Sequence, residues 1–151
     1  MFRNKTNIYK GKNAKRLKML ITQRRITIVK LSRPPQTIND ELQWFGNSFD
    51  LFSERDKERS MFRIFIELLK ATKAQVPISS DELAAKLNLS RGTVVYHLNK
   101  LIESGIVMII KNKYILRGGN LQELVDELEA DSLRTFKELK RVAKEIDEGM
   151  R

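Results

Sequence analysis

Apolar residues recur at helical spacing between residues 80 and 104 and predict two neighbouring helices. The first is short: Ser79 or Ser80 caps its N-terminus, and two acids follow in the opening turn, where the helix dipole stabilises negative charge. After a turn at Asn88, Ser90 caps the second helix. This helix carries a narrow apolar stripe of Val94, Leu98, Leu101 and Ile102. The pattern therefore predicts two helices joined by a tight turn, each with one buried face.

Two short alternating segments follow the second helix. Gly105 is suited to end that helix in the left-handed conformation. Strands are predicted at residues 106–110 and 114–116. The tip between them is predicted to consist of Lys111, Asn112 and Lys113. With the helices at 80–104, a hairpin wing at 106–116 predicts a winged helix-turn-helix, and two lysines at its tip suit contact with a nucleic-acid backbone.

The apolar stripe determines which side chains of the second helix face solvent. Its exposed residues are predicted to be Arg91, Gly92, Val95, Tyr96 and Asn99, flanked by Thr93 and Lys100. Small, polar and basic side chains at a helix N-terminus suit a major groove, because the first turn approaches base edges while free N–H groups meet phosphate. Winged helices also serve as protein-interaction modules, so the exposed face and the charge, more than the fold, favour DNA.

Residues 89–107, LSRGTVVYHLNKLIESGIV, resemble the recognition-helix segment of ArsR-like winged-helix regulators, in particular the archaeal ones. The family pattern L-S-x-x-T-V-x-x-H-L-x-x-L-x-x-x-G-[LI]-[VI] is matched at every fixed position. The resemblance implies a dimeric repressor with DNA contacts from Ser90, Arg91, Gly92, Thr93, Val95 and Tyr96. Family members that sense metals use cysteine thiolates and histidines. This chain has no cysteine and one histidine, so thiolate metal sensing is not expected.

The net charge of +10 is concentrated at the N-terminus. Residues 1–39 contain eleven basic side chains and no acid, whereas the remaining 112 residues carry 18 basic and 19 acidic groups. Residues 1–35 are therefore predicted to form a basic arm, with a strand at 26–31, that ends at Pro34 and Pro35. Such an arm suits contact with phosphates or a minor groove, and the alternative is a disordered tail that aids solubility.

Aromatic residues are concentrated in the segment before the paired helices. A helix is predicted to begin at residues 39–41, and a second one to span 53–73. The aromatic segment is formed by Leu42, Trp44, Phe45, Phe49, Leu51 and Phe52. Three interpretations remain open for it: packing over the winged helix, burial in a dimer interface, or a pocket for a small apolar effector. Residues 36–117 are predicted to form one winged domain with this aromatic extension.

Residues 118–151 are predicted to form a C-terminal dimerisation helix capped by Asn120. Its apolar positions are Leu121, Val125, Leu128, Phe136, Leu139, Ala143, Ile146 and Met150. The steps alternate three and four from Phe136, but the seam slips before it, so no long regular coiled coil is specified. The alternative is a helix folded back on the aromatic segment. Its acids are predicted to form a solvated face: Glu123, Asp126, Glu127, Glu129 and Asp131.

Catalytic and metal chemistries lack candidate residues in this sequence. It contains no P-loop, no dinucleotide-binding glycine pattern and no HExxH motif. His97 flanks the apolar stripe and is predicted to be a packed helix residue rather than a ligand or a catalytic base. We therefore expect no enzymatic activity, no cofactor and no metal.

Composition favours a protein that acts inside the cell. No apolar run approaches the ~20 residues of a membrane span, and no apolar h-region follows the basic N-terminus. The lack of cysteine is typical of a cytoplasmic protein. We expect a cytoplasmic, nucleoid-associated homodimer that binds double-stranded DNA as a sequence-specific transcriptional repressor. Two alternatives are an architectural DNA-binding protein of low sequence specificity and a winged-helix protein-interaction module.

Overall fold

The computed structural model of the protein describes residues 27–29, 32 and 37–151, and there it confirms a mainly α fold with a small β-wing. Five helices and two strands lie within these residues. They are α1 (Ile38–Ser48), α2 (Ser60–Ala74), α3 (Ser80–Leu87), α4 (Arg91–Glu103), β1 (Val107–Ile110), β2 (Lys113–Leu116) and α5 (Leu121–Gly149).

The predicted basic arm at residues 1–35 lies almost entirely outside the described residues. Of the predicted strand at 26–31, residues 27–29 are described, and they do not form part of a strand. The Val29 N–H donates to the carbonyl of Ser48 at 2.8 Å, which attaches this short segment to the end of α1.

Side-chain caps at the predicted positions set the starts of α3 and α4. The Ser79 hydroxyl accepts from the Glu82 N–H at 3.0 Å, and the Glu82 carboxylate accepts from the Ser79 N–H at 2.8 Å, which completes a capping box. Asn88 ends α3 in the left-handed conformation with φ 53°. The Ser90 hydroxyl then accepts from the Thr93 N–H at 3.1 Å. The helix-turn-helix geometry is thus encoded locally.

Gly105 ends α4 with φ 77°, as predicted. Its N–H donates to the carbonyl of Ile102, and the N–H of Ile106 donates to that of Leu101, both at 3.0 Å. This pair of bonds is the Schellman arrangement, which satisfies the last carbonyls of the helix and turns the chain directly into the wing.

The wing is an antiparallel pair with a two-residue turn. The register runs from Val107 opposite Leu116 to Ile110 opposite Lys113. The predicted three-residue tip is wrong by one position, because Lys113 is the first residue of β2. Lys111 and Asn112 have φ values of 48° and 62°. A turn with two left-handed residues matches the twist of the strands and needs no third residue.

Residue 78 adds a third segment to the wing. Ile78 and Tyr114 exchange both backbone hydrogen bonds, at 2.9 and 2.7 Å. The Thr72 hydroxyl of α2 accepts from the Leu116 N–H at 3.0 Å and donates to the Leu68 carbonyl at 2.7 Å. These bonds fix β2 both to the start of α3 and to the central helix.

Helix α2 lies at the centre of the core. The most deeply buried side chains of the described residues come from the turn after α1, from α2, α3 and α4, from the wing with the residue before it, and from α5: Leu51, Met61, Ile64, Phe65, Leu68, Leu83, Val94, Leu98, Leu101, Ile106, Leu116 and Leu124. Glu67 of α2 is largely buried and pairs with Lys86 of α3 at 2.7 Å and with Lys70 at 2.9 Å. Burial raises the pKa of Glu67, but the two ammonium groups outweigh it and hold that pKa below its ordinary value.

The two helices before α3 begin elsewhere than predicted. The cap of α1 is Thr37, whose side chain accepts from the Asp40 N–H, rather than residues 39–41. Residues 53–59 form turns, and α2 begins only at Ser60. The Asp56 carboxylate accepts from the N–H groups of Ser60 and Met61 at 3.0 and 2.8 Å. It therefore acts as a cap and stops the charged run from continuing the helix towards its N-terminus.

We expect Asp56→Ala to lower the free energy of unfolding by about 1 kcal/mol at pH 7, as loss of a cap does. Burial raises the Asp56 pKa, but the bonds from Met61 and Ser60, with His97 nearby, hold it below its ordinary value. The carboxylate therefore stabilises the fold above the unfolded pKa of about 3.9, and that contribution is lost as the pH falls through the folded pKa.

Urea unfolding at pH 7 and pH 3.5 measures this effect. The difference between the wild type and Asp56→Ala should shrink at the lower pH, whereas Glu58→Ala, an exposed acid of the same segment, should have little effect at either. A difference of equal size at both pH values would contradict the assignment of Asp56 as an ionised cap.

The aromatic segment packs over the winged domain, one of the three interpretations left open. The Phe45 and Phe65 rings stack at 6.1 Å, and the Phe52 ring meets Phe65 and Phe62 edge-on at 6.3 and 5.3 Å. A Cβ at Gly46 would overlap the Phe52 ring. Glycine inside α1 is therefore required by this close approach.

We expect Gly46→Ala and Gly92→Ala to change stability in opposite directions. Alanine in a helix gains up to about 1 kcal/mol over glycine, and at Gly92 no atom lies within 4 Å of the added Cβ. At Gly46 the displaced Phe52 ring costs about 1–3 kcal/mol and outweighs this gain. Thermal unfolding of the two variants measures both signs. A stabilised Gly46→Ala would mean that Phe52 does not pack there.

Helix α5 divides into a packed half and an exposed half. Asn120 caps it by accepting from the Glu123 N–H at 2.9 Å. Leu124 and Leu128 enter the core, whereas Val125, predicted among the apolar positions, is exposed. Beyond Leu128 several large apolar side chains are exposed. They are Leu133, Phe136, Leu139, Ile146 and Met150, each more than half exposed.

An ion-pair cluster anchors the packed half of α5. Arg117, just after β2, pairs with Glu127 through Nε and with Asp131 through a terminal nitrogen at 2.6 Å. The side chains of Arg117 and Asp131 are each 13% exposed. Arg134 also pairs with Asp131. The prediction that these acids form a solvated face is therefore wrong for Asp131, whereas Glu127 remains 45% exposed although it pairs with the same guanidinium.

Candidate nucleic-acid interface

One face of α4 packs on the core and the opposite face is free. Val94, Leu98 and Leu101 have at most 1% of their surface exposed, and Ile102 has 8%. These are the four residues of the predicted stripe. Because they occupy a single side of the helix, the N-terminal turn and the polar side remain accessible.

Most of the predicted contact residues are exposed in the structure. The exposed ones are Ser90, Arg91, Gly92, Tyr96, Asn99, Lys100, Lys111, Asn112 and Lys113, and the half-buried ones are Thr93 and Val95. The Ser90 hydroxyl is exposed but already has partners within the protein. It caps α4 and also lies 2.8 Å from the Thr93 hydroxyl. Tyr96, at 67% exposed, is an accessible aromatic side chain of the face.

The opening turn of α3 joins α4 to the wing. Arg91 Nε lies 3.5 Å from an Asp81 carboxylate oxygen, and Lys113 Nζ lies 3.8 Å from a Glu82 oxygen. Through these contacts, and through the bridge at Ile78, the start of α4 and the tip end of β2 flank the same turn. Sequence reasoning gave these acids only a role at the helix dipole. Their partners, Arg91 and Lys113, lie ten or more positions along the chain, so no local sequence pattern indicated these ion pairs.

His97 lies on α4 between the free face and the core. Its ring meets Tyr96 edge-on at 5.3 Å, and its Nδ1 is buried without a hydrogen-bond partner among the described residues. Burial lowers the pKa of His97 and outweighs the opposing effect of Asp56, so the pKa lies below its ordinary value. The neutral ring thus packs within the helix surface.

A second accessible surface lies away from α4. A groove of about 740 Å³ runs between α1, α2 and the start of α5. Its apolar lining comes mainly from Ile38, Leu42, Trp44, Phe45, Leu69 and Leu121, with Glu41 and Lys73 also bordering it. The distal half of α5 does not fold back over this groove, because its apolar residues are exposed.

The described residues contain neither a membrane-spanning helix nor a cluster of metal-ligating side chains. Across the described part of the chain, no helix combines the length and apolar character needed to cross a bilayer. Nor do the described residues bring together three or more histidine or acidic side chains that could hold a metal ion.

Residues 63–110 match a protein-family model described as a helix-turn-helix domain. The match begins within α2 and ends with β1, so it includes both helices of the motif and the first strand of the wing. Neither curated proteins nor solved structures gave a significant match to the chain. The protein therefore carries a helix-turn-helix domain, the kind of domain with which transcription regulators bind double-stranded DNA.

Proposed function

We propose that the protein is a sequence-specific transcriptional regulator that represses by occupying promoter DNA. The observation that carries this proposal is the free face of α4, whose first turn presents Arg91 and Gly92 while its stripe is fully used by the core. That turn enters the major groove, where backbone N–H groups and short side chains approach the bases. Lys111 and Lys113 of the wing contact the neighbouring phosphates.

The proposed repressor is a homodimer formed through α5. The first half of the helix completes the core of the winged domain, and its distal apolar stripe has no covering element in the described chain. A second copy covers such a stripe with an identical one, which gives a two-fold axis. Two α4 helices related by that axis read a pseudo-palindrome with half-sites about one DNA turn apart. The resemblance to archaeal ArsR-like repressors supports the same arrangement.

The basic N-terminal residues add affinity that does not depend on sequence. Eleven positive charges without an acid in residues 1–39 release counterions on binding, so binding weakens steeply with salt. The same charge favours a second candidate function, an architectural protein that binds DNA with little sequence preference. Both functions place the protein on the nucleoid, and neither requires catalysis or a cofactor.

Selection of genomic DNA fragments by the purified protein at near-physiological salt tests the proposal. The wild type should recover a palindromic site that an Arg91→Ala/Tyr96→Ala variant loses. Motif-free recovery that survives this variant but is abolished by deleting residues 1–33 would replace it with the architectural function. Failure to recover any DNA would leave a protein-interaction module as the function of the winged helix.

Arg91→Ala and Lys111→Ala are expected to weaken binding in different ways. If Arg91 reads a guanine, its loss costs about 1–3 kcal/mol at the selected site and relaxes the preference for that base. Loss of Lys111 should weaken all sequences alike and reduce the salt dependence by about one counterion. Fluorescence anisotropy on the selected and a scrambled duplex, over a salt series, measures both. Equal losses on the two duplexes for Arg91→Ala would contradict base reading.

A further inference from the structure

The acid that opens α3 faces the arginine that opens α4. Arg91 Nε lies 3.5 Å from Asp81 Oδ1, and both side chains are 73% exposed. An ion pair this exposed contributes little to folding stability. Asp81 is also not needed for the cap of α3, since Ser79 and Glu82 form the capping box. The pair therefore has no evident role in the fold, although it involves a residue at the tip of the DNA-facing turn.

The pair leaves the part of the guanidinium that reads bases free. Asp81 is nearest to Nε, the nitrogen on the stem side of the group. A bidentate contact with a guanine uses two parallel N–H donors against O6 and N7, which the terminal nitrogens supply. The attraction between the Asp81 carboxylate and Nε thus favours those orientations of the flexible Arg91 side chain in which the terminal nitrogens are not paired with this acid.

Resting on the proposed function, we propose that Asp81 is a positioning residue for sequence specificity: it orients Arg91 towards a guanine and opposes contact of Arg91 with phosphate. Phosphates repel the Asp81 carboxylate, so a protein that binds without the correct base brings two negative groups together. At the correct site, Arg91 stays paired with Asp81 on one side and with the base on the other. The acid therefore weakens non-specific binding more than specific binding.

The neighbouring acid provides an internal comparison. Glu82 lies 3.8 Å from Lys113 of the wing, but it also accepts from the Ser79 N–H, and that bond holds its pKa below the ordinary value. A lysine is a point charge without a planar fork, so pairing with an acid does not give it base selectivity. The positioning role is therefore assigned to Asp81 and not to Glu82.

The test measures the affinity of Asp81→Asn for the selected duplex, for the same duplex with the Arg91-contacted guanine pair replaced, and for a scrambled duplex. We expect tighter binding to the scrambled duplex, a salt slope steeper by about one counterion, and base discrimination reduced by roughly tenfold, within the range of a bidentate contact. Glu129→Gln, which makes the same change of charge on an exposed part of α5, should leave the discrimination unchanged.

A double-mutant cycle with Arg91→Ala separates positioning from a change in overall charge. In the Arg91→Ala background, Asp81→Asn should no longer change base discrimination, and Asp81→Glu alone should retain part of it. Equal tightening on all three duplexes would overturn the inference, as would a full effect without Arg91. These outcomes presuppose a selected site for the wild type, so the absence of any such site would instead contradict the proposed function.

Discussion

Replacing Arg117 with alanine is expected to lower the free energy of unfolding by about 3–5 kcal/mol, the usual cost of breaking a buried ion pair by removing one partner. Arg117 and Asp131 are both 13% exposed and lie 2.6 Å apart. Burial lowers the Arg117 pKa, but the carboxylates of Asp131 and Glu127 outweigh it and hold the pKa above its ordinary value. Without the guanidinium, Asp131 keeps its burial but loses the largely buried cation that lies 2.6 Å away.

Arg141 provides the matched control for this prediction. It also pairs with two acids of α5, Glu138 and Glu145, but its side chain is 56% exposed. Arg141→Ala should lower the free energy of unfolding far less than Arg117→Ala does, because exposed ion pairs contribute little to stability. Urea unfolding of both variants and of Arg117→Ala/Asp131→Asn measures the difference. The double variant should lose less than the sum of its single changes. Similar costs for Arg117→Ala and Arg141→Ala would show that the cluster is not an anchor.

The largest expected effect on DNA binding comes from Leu139→Glu, a substitution on α5 and not on α4, the helix proposed to read DNA. Leu139 is 58% exposed and lies in the middle of the distal apolar stripe. In the proposed dimer, a carboxylate there would have to be desolvated against an identical copy, so this dimer should dissociate while each chain stays folded. Loss of two-site attachment should weaken binding to a palindrome by about 10²–10⁴-fold.

Sedimentation and DNA titration together test the role of the stripe. Leu139→Glu should sediment as a monomer. At the same chain concentration, the unfolding transition of its winged domain should be unchanged. Ala130→Glu introduces the same acid at an exposed position that helical spacing places on the opposite side of α5. It should remain dimeric and bind normally. A wild-type protein that is monomeric at micromolar concentration, or a dimeric Leu139→Glu variant, would contradict dimerisation through the stripe.

The sequence predicted the motif well because its signals are local. Ser79, Ser90, Gly105 and Asn120 each act on backbone groups within a few residues, and each was predicted at its observed position as one of the stated choices. The buried stripe of α4 also followed from spacing alone. Chemistry of this kind depends little on how distant segments pack.

One error arose from a local cap that competes with helix propensity, and the others arose where distant groups decide the structure. The charged run before Ser60 has good helix formers, but the Asp56 carboxylate and the left-handed Arg59 stop the helix from extending into it. Leu124 and Val125 are adjacent apolar residues, and only the packing of α5 on the body decides which one is buried. The Arg117 cluster had a signal in two acids four residues apart, yet their partner lies across a glycine break.

Helix α5 runs without interruption from the Arg117 cluster to Gly149, so residue count alone fixes the rotational phase of its stripe. Each inserted residue turns everything beyond it by about 100° and advances it by about 1.5 Å. Two residues added between Asp131 and Phe136 would carry the stripe to the far side of the helix, whereas seven would return it to within about 20°. Lengths tolerated at this point in related chains should therefore recur with the helical period instead of varying smoothly.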